Sequence, residues 1–204
     1  MEAGLGLLLP LVLVLVLGFT HTAPAYKQLD YCKDKICPKF IVTNSKEKYE
    51  ERLYEASDWI CTVLSGTSIS DITSGCDRLK DFTKQQNQAL GVDIGDKVYP
   101  TVVSQQEGPS GKQYELCWMV DPKVTLKTNI NVDQVTVKTL SKGQVFVRSF
   151  EGPPSLGAGQ ENAEKLKRDL EEAGESFLPN TFYGAGYESP FSLSHHNEIW
   201  IRKA

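Results

Sequence analysis

From Tyr49 onward, hydrophobic and polar positions fall into short regular runs. Tyr49-Glu-Glu-Arg-Leu-Tyr54 and Trp59-Ile-Cys-Thr-Val-Leu64 read as two strands around a Glu-Ala-Ser-Asp turn. Between Ser68 and Gln88 the period changes. Ile69, Ile72, Cys76, Leu79 and Phe82 recur at steps of three and four, with charges between them, which predicts an amphipathic helix. Strands follow over Val98–Ser104 and Tyr114–Val120, separated by a breaker-rich Gln-Gln-Glu-Gly-Pro-Ser-Gly turn.

After Asp121-Pro122 and a polar connector over Val124–Asp133, the same order of elements returns. Val135–Thr139 and Val145–Phe150 read as strands around Ser-Lys-Gly, and Glu151 to Gly159 as a loop. Glu161–Gly174 reads as a charged helix with Ala163, Leu166, Leu170 and Ala173 on one face, stopped by Gly174. Two closing strands lie in Asn180-Thr-Phe-Tyr-Gly-Ala-Gly-Tyr-Glu-Ser-Pro190 and Asn197-Glu-Ile-Trp-Ile201. Ser189-Pro190 opens the loop between them. Gly184 and Gly186 inside the first mark a bend, or a group that approaches the backbone closely.

Each half thus reads strand–strand–helix–strand–strand. Two such halves can join their sheets into a curved, barrel-like α+β body with both helices outside. Tyr26–Lys48 precedes them as a polar, Lys-rich and mostly irregular arm in which Phe40-Ile-Val42 can dock.

The N-terminus has a different character. Leu5–Gly18 is an apolar run, and Ala23-Pro24-Ala25 supplies a small-x-small cleavage pattern. The run is short for a spanning helix, although its basic flank is missing and only Glu2 precedes it. The expected organisation is a signal peptide over 1–25 cleaved after Ala25, a cysteine-containing arm over 26–48, and one domain over 49–204. The expected localisation is extracellular.

The formal charge is −4 at pH 7, and −3 once a leader containing one acid and no base is removed. That balance leaves no electrostatic footprint for nucleic acid or an anionic membrane, and a monomer is expected. Of the five cysteines, Cys32, Cys37, Cys61 and Cys117 are the expected disulfide formers, and the odd count leaves one thiol over. Cys32 and Cys37 can pair with each other, or each can staple the arm to the body. A zinc site is disfavoured by the spacing.

Three fragments, taken together and in order, resemble the SOUL or heme-binding protein family. They are Tyr49-Glu-Glu-Arg52 with Trp59, Val145-Phe-Val-Arg-Ser-Phe-Glu-Gly152, and Tyr183-Gly-Ala-Gly-Tyr-Glu-Ser-Pro190 with Asn197-Glu-Ile-Trp200. The resemblance spans about Tyr49 to Lys203. It implies a distorted antiparallel β-barrel of two pseudo-symmetric halves flanked by two helices. It also implies non-covalent binding of a tetrapyrrole, chiefly heme, in a hydrophobic cleft beside the first helix.

On that resemblance the cleft residues are Ile72, Thr73, Cys76, Leu79 and Lys80, with Arg78, Lys84 and Lys97 as further cations for propionates. A packed apolar stripe and a solvated charged face explain the same residues without a ligand. Some members of the family carry histidine after Tyr-Glu-x-Arg, where this chain has Leu53. The methionine and basic positions of the helix are also largely replaced. Axial donors to iron are then limited to His195, His196 or Cys76, with Tyr54 and Tyr99 as further oxygen donors; His21 leaves with the leader.

The reading that follows is a secreted, non-enzymatic heme-binding protein. Its alternative is the same fold serving another hydrophobic small ligand or a protein partner. No Gly-x-Ser-x-Gly elbow, phosphate-cradling glycine loop or His-Glu-x-x-His helix supports an enzyme.

Overall fold

The computed structural model describes residues 29–32, 35–91, 99–127, 133–188 and 192–204. The expected signal peptide, Lys97 and Val98, and Ser189-Pro190 lie outside them. In chain order the elements are β1 (Phe40–Ser45), β2 (Glu50–Tyr54), β3 (Ser57–Leu64), α1 (Ile69–Leu90), β4 (Thr101–Gly108) and β5 (Gly111–Met119). Then come β6 (Val135–Leu140), β7 (Gly143–Glu151), α2 (Leu156–Glu172), β8 (Thr181–Gly186) and β9 (His196–Arg202).

The strands form one curled antiparallel sheet in the order β1-β2-β7-β9-β8-β4-β5-β3-β6. A pseudo-twofold relation runs through the central β4–β8 pair, matching β3 with β7, β4 with β8, and β5 with β9. The first strand of each half crosses over: β2 pairs with β7 of the second half, and β6 with β3 of the first. The halves are therefore interlocked by exchanged strands rather than laid side by side.

Alternation along the strands sorts side chains onto two faces. The inner face gathers Tyr54, Trp59, Cys61, Val102, Cys117, Met119, Val145, Val147, Tyr187 and Trp200 into one buried cluster. On the outer face, α1 covers Ile60, Leu64 and Leu116 through Leu79 and Phe82. Similarly, α2 covers Phe146, Phe182, Ile199 and Ile201 through Ala163, Leu166 and Leu170.

The first helix begins with a reciprocal capping box between Ser68 and Asp71 and ends at Gly91 in the left-handed region. Gly75 sets how closely this helix approaches the sheet. A β-carbon there would sit 2.7 Å from Leu64 Cδ2 and 3.2 Å from Leu116 Cδ2. The second helix starts earlier than its charge pattern indicates, because Ser155 caps it by accepting from the Ala158 amide. Residues 156–159, expected to be loop, are helical despite Gly157 and Gly159. The turn expected over 105–111 is likewise shorter. Gln105–Gly108 continue as strand because β8 pairs along the other side of β4 as far as Gln106.

The arm is less irregular than its composition suggests. A 3₁₀ turn at Asp30–Cys32 leads to a Cys32–Cys37 disulfide, and Phe40 opens β1. Cys61 and Cys117 face each other across the β3–β5 ladder and form the second disulfide, with Cα atoms 4.1 Å apart. Cys76 is the remaining thiol.

Leu166 is fully enclosed between α2 and the sheet. Leu166→Ala is expected to cost about 2–5 kcal/mol, and Ser155→Ala about 1 kcal/mol. Urea unfolding of the two variants checks the order. Equal effects would mean that α2 is held by its cap as much as by its apolar face.

Candidate functional site

The period of two in β9 places His196, Glu198 and Trp200 on one face and Asn197, Ile199 and Ile201 on the other. Ile199 and Ile201 meet α2, so Glu198 is turned into the interior, where it has no solvent exposure. Burying an ionised carboxylate costs several kcal/mol, unless close partners satisfy both oxygens. Five side chains converge on it.

Oε1 accepts from Tyr31 Oη at 2.6 Å and Arg52 Nη1 at 2.9 Å, and lies 3.1 Å from His196 Nε2. Oε2 accepts from Trp200 Nε1 at 2.7 Å and Tyr187 Oη at 2.8 Å. Arg52, itself 3% exposed, spends its remaining capacity on Glu50 and Tyr54 and lies 4.3 Å over the Phe40 ring. The cluster therefore draws on the arm, β1, β2, the segment after β8, and β9.

Tyr31 is the arm's contribution. Its ring stacks on His196 with centroids 3.6 Å apart and meets Tyr187 edge-on at 4.6 Å. The Tyr99 amide donates to Ile36 O, and the Glu55 amide to Lys39 O, which fastens the arm just before β1. Cys32 and Cys37 pack into the same buried cluster as Trp59 and Trp200. The arm thus fills the mouth of the curled sheet with its own side chains.

The electrostatics follow from this enclosure. Burial alone would raise the Glu198 pKa, but the His196 hydrogen bond, the Arg52 charge and the Tyr31 and Trp200 donors outweigh it and hold it at about 2. Burial, with Glu198's charge second, pushes Tyr31 and Tyr187 above the usual phenol range. Such a carboxylate is a weak base at neutral pH and suits the binding of donors better than proton abstraction.

The residues expected to hold a ligand lie elsewhere. The first helix rests on β3, β5 and β6, whereas α2 rests on β7, β8 and β9. Leu79 is fully enclosed beneath α1, Ile72 and Cys76 are half-buried at its flank, and Thr73 and Lys80 are exposed. Thr73 Oγ1 donates back to Ile69 O, and Lys80 pairs with Asp77 at 3.2 Å. Arg78 is committed to the sheet through Thr62 Oγ1 and Val63 O, each at 2.8 Å. Partly exposed Trp118, Val124, Leu126 and Val135 border the same cluster, and Ile69 and Val137 stand 84% and 53% exposed.

Of the expected axial donors only Cys76 lies at that flank. His196 is bound to Glu198 and stacked on Tyr31, and half-buried His195 precedes it with no partner for its Nδ1 among the described residues. Burial pushes the Cys76 thiol up, only partly opposed by Lys80. Tyr54 Oη accepts from Arg52, and Tyr99 lies beneath Lys35. Leu53, at the family's histidine position, pairs with Ile41 and Gln144. Among the described residues the flank offers partly exposed apolar side chains, with Arg78 and Lys80 at its rim already paired.

Sequence reasoning missed the Glu198 cluster. Its signal was a single acid at an inward position of an apolar strand, matched by Arg52 at an inward position of β2.

Glu198→Gln is expected to cost about 3–5 kcal/mol, because Arg52 then stays buried without its buried counter-charge and keeps only the more exposed Glu50. Glu198's pKa lies below its ordinary value of 4.5, so its contribution is fully present above about 4.5. It is lost as pH falls toward about 2. Acid titration of the Gln variant should therefore lack part of the wild-type loss over that window. Superimposable pH profiles would contradict the role assigned to the carboxylate.

Comparison with known proteins places this geometry in a family. The family model described as SOUL heme-binding protein matches residues 35–202. Heme-binding protein 2 of Mus musculus is 28% identical over 166 residues, covering 75% of this chain and 77% of that protein. The Homo sapiens protein of the same name is 28% identical over 165 residues, with the same coverage. An uncharacterised conserved protein of Listeria innocua shares the fold, with a TM-score of 0.57, 10% identity, and coverage of 78% of this chain and 93% of that one. The arm's end, the exchanged strands and the Arg52–Glu198 core all fall within the matched span, and the chain belongs to the SOUL heme-binding protein family.

Proposed function

We propose that this protein binds a tetrapyrrole, with heme as the reference ligand, on the apolar flank of α1, as a secreted monomer that catalyses no reaction. Membership of the SOUL heme-binding family carries the reading. The enclosure of the interior by the arm supports an outer rather than an inner site.

Ile72 and Cys76 would meet the ring, and Lys80 and Lys84 would face propionates at the rim. Thr73 sits beside them, and Leu79 supports the flank from below. Bound heme would supply an iron with open coordination sites and a Soret absorption. The chain's own part is to shield one face of the ring from water. Two disulfides are compatible with an oxidising compartment. The expected leader gives a mature chain beginning at Tyr26, which N-terminal sequencing of the protein from a secreting cell would check.

A second reading, in which the flank holds a different apolar ligand or a protein partner, is favoured by one observation. Arg78 is pinned to β3, and Lys80 is already paired.

Hemin titration of the disulfide-bonded protein separates the two readings. Heme binding predicts a saturable one-to-one Soret change, weakened about tenfold or more by Ile72→Glu, which sets a carboxylate against the ring and the propionates. Because burial disfavours the Cys76 thiolate, Cys76→Ser should leave the Soret maximum unchanged. A change that never saturates, or that Ile72→Glu does not affect, would remove heme from the α1 flank.

A further inference from the structure

Away from α1, a pocket of about 360 Å³ lies where α2 crosses the β1–β2 turn, lined by Lys48, Arg148, Lys165, Arg168, Asp169 and Glu172. Its volume is at the lower end of the roughly 300–1,000 Å³ of small-molecule sites. The four α2 residues, at positions 165, 168, 169 and 172, are spaced to share one helical face. Lys48 enters from the turn before β2, and Arg148 from β7.

Charge in this pocket is arranged rather than scattered. Asp169 has a side chain only 12% exposed and holds two cations at once, Lys48 Nζ at 2.8 Å and Arg148 Nη1 at 3.0 Å. Arg148 is fixed further by Asn162 Oδ1 at 3.3 Å. Glu172 lies 3.7 Å from Lys48 Nζ. Lys165 makes an exposed helix pair with Glu161, which is weak enough to exchange. Arg168 has no hydrogen bond or ion pair among the described residues. Four cations thus face the two lining carboxylates and Glu161 at the rim, leaving a surplus of one positive charge in a chain whose net charge is −4.

We propose that this pocket binds a tetrahedral oxyanion group, the dianionic phosphate monoester or the singly charged sulfate monoester of a larger ligand. Asp169 and Asn162 are positioning residues that hold Lys48 and Arg148 toward the site, and Arg168 supplies the uncommitted guanidinium fork suited to paired oxygens. The sulfate group of a polysaccharide and the phosphate of a small metabolite share this chemistry. The site is separate from the tetrapyrrole flank, so its failure and that of the heme reading are read independently.

Isothermal titration of the full disulfide-bonded protein, with inositol hexakisphosphate in one arm and a heparin hexasaccharide in the other, tests the site at low and at physiological ionic strength. Saturable binding of at least one probe is expected, with the stronger arm naming the source. Arg168→Ala and Lys165→Ala should each weaken it about tenfold. Arg168→Lys should recover only part of that loss, because the charge returns without the fork. Neither residue is part of the apolar core, so an unchanged melting profile confirms that the variants fold. Lys142→Ala, which removes a surface cation paired with Glu55 outside the pocket lining, should leave affinity unchanged. Absence of saturable binding by either probe would overturn the proposal. So would an equal loss in the Lys142 variant, which would mark the attraction as diffuse charge.

Discussion

One buried charge organises this molecule. The Glu198 carboxylate is withdrawn from water completely and stays ionised only because five side chains, two of them from distant parts of the chain, are brought to it. Arg52 arrives from a strand that has crossed into the other half of the sheet, and Tyr31 from an arm outside the repeated pattern. Each is long in sequence separation and short in space. Leaving any of them out would strand a polar group in a medium that cannot solvate it. The apolar clusters supply the larger share of the stabilisation, while this network selects one closure of the sheet.

The exchange of first strands gives that selection its mechanical basis. With β2 added to the second half and β6 to the first, each half completes its sheet only with a strand of the other. The inner face then becomes a shared enclosure, sealed by the Cys61–Cys117 cross-strand bridge and the Cys32–Cys37 loop of the arm. What remains open is the outside. On one flank α1 leaves Ile72, Cys76 and neighbouring apolar residues partly exposed, and on the other α2 presents ordered cations. The fold thus sets an apolar surface beside α1 and a charged one beside α2 at different places on the outer face of the curled sheet.

Much of this organisation could be read from the chain in order. The steps of three and four from Ile69 to Phe82 mark α1 because burial on the sheet demands a single apolar stripe. The alternation in Val145–Phe150 marks β7 for the same reason. The start of α2 was hidden because Gly157 and Gly159 lower helix propensity, while Ser155 and packing above Ile199 restore it. The site was harder still. Arg52 and Glu198 both appear in the fragments that carry the family resemblance, but only pairing through β7 reveals that they meet. Tyr31 lies in a Lys-rich arm without period, and nothing local to it indicates a place in the core.

The central claim is that the interior is closed by the chain itself and that a tetrapyrrole is held outside, beside α1. The most direct measurement is a residue-resolved NMR titration with a diamagnetic zinc porphyrin that carries heme's propionates. The account predicts shifts concentrated on Ile72, Cys76 and residues 124–127 and 135–137, with the Trp200 indole Nε1–H resonance, anchored on Glu198, left in place. Displacement of that indole signal together with Tyr31, while α1 stays unperturbed, would place the ligand inside the sheet and contradict the account.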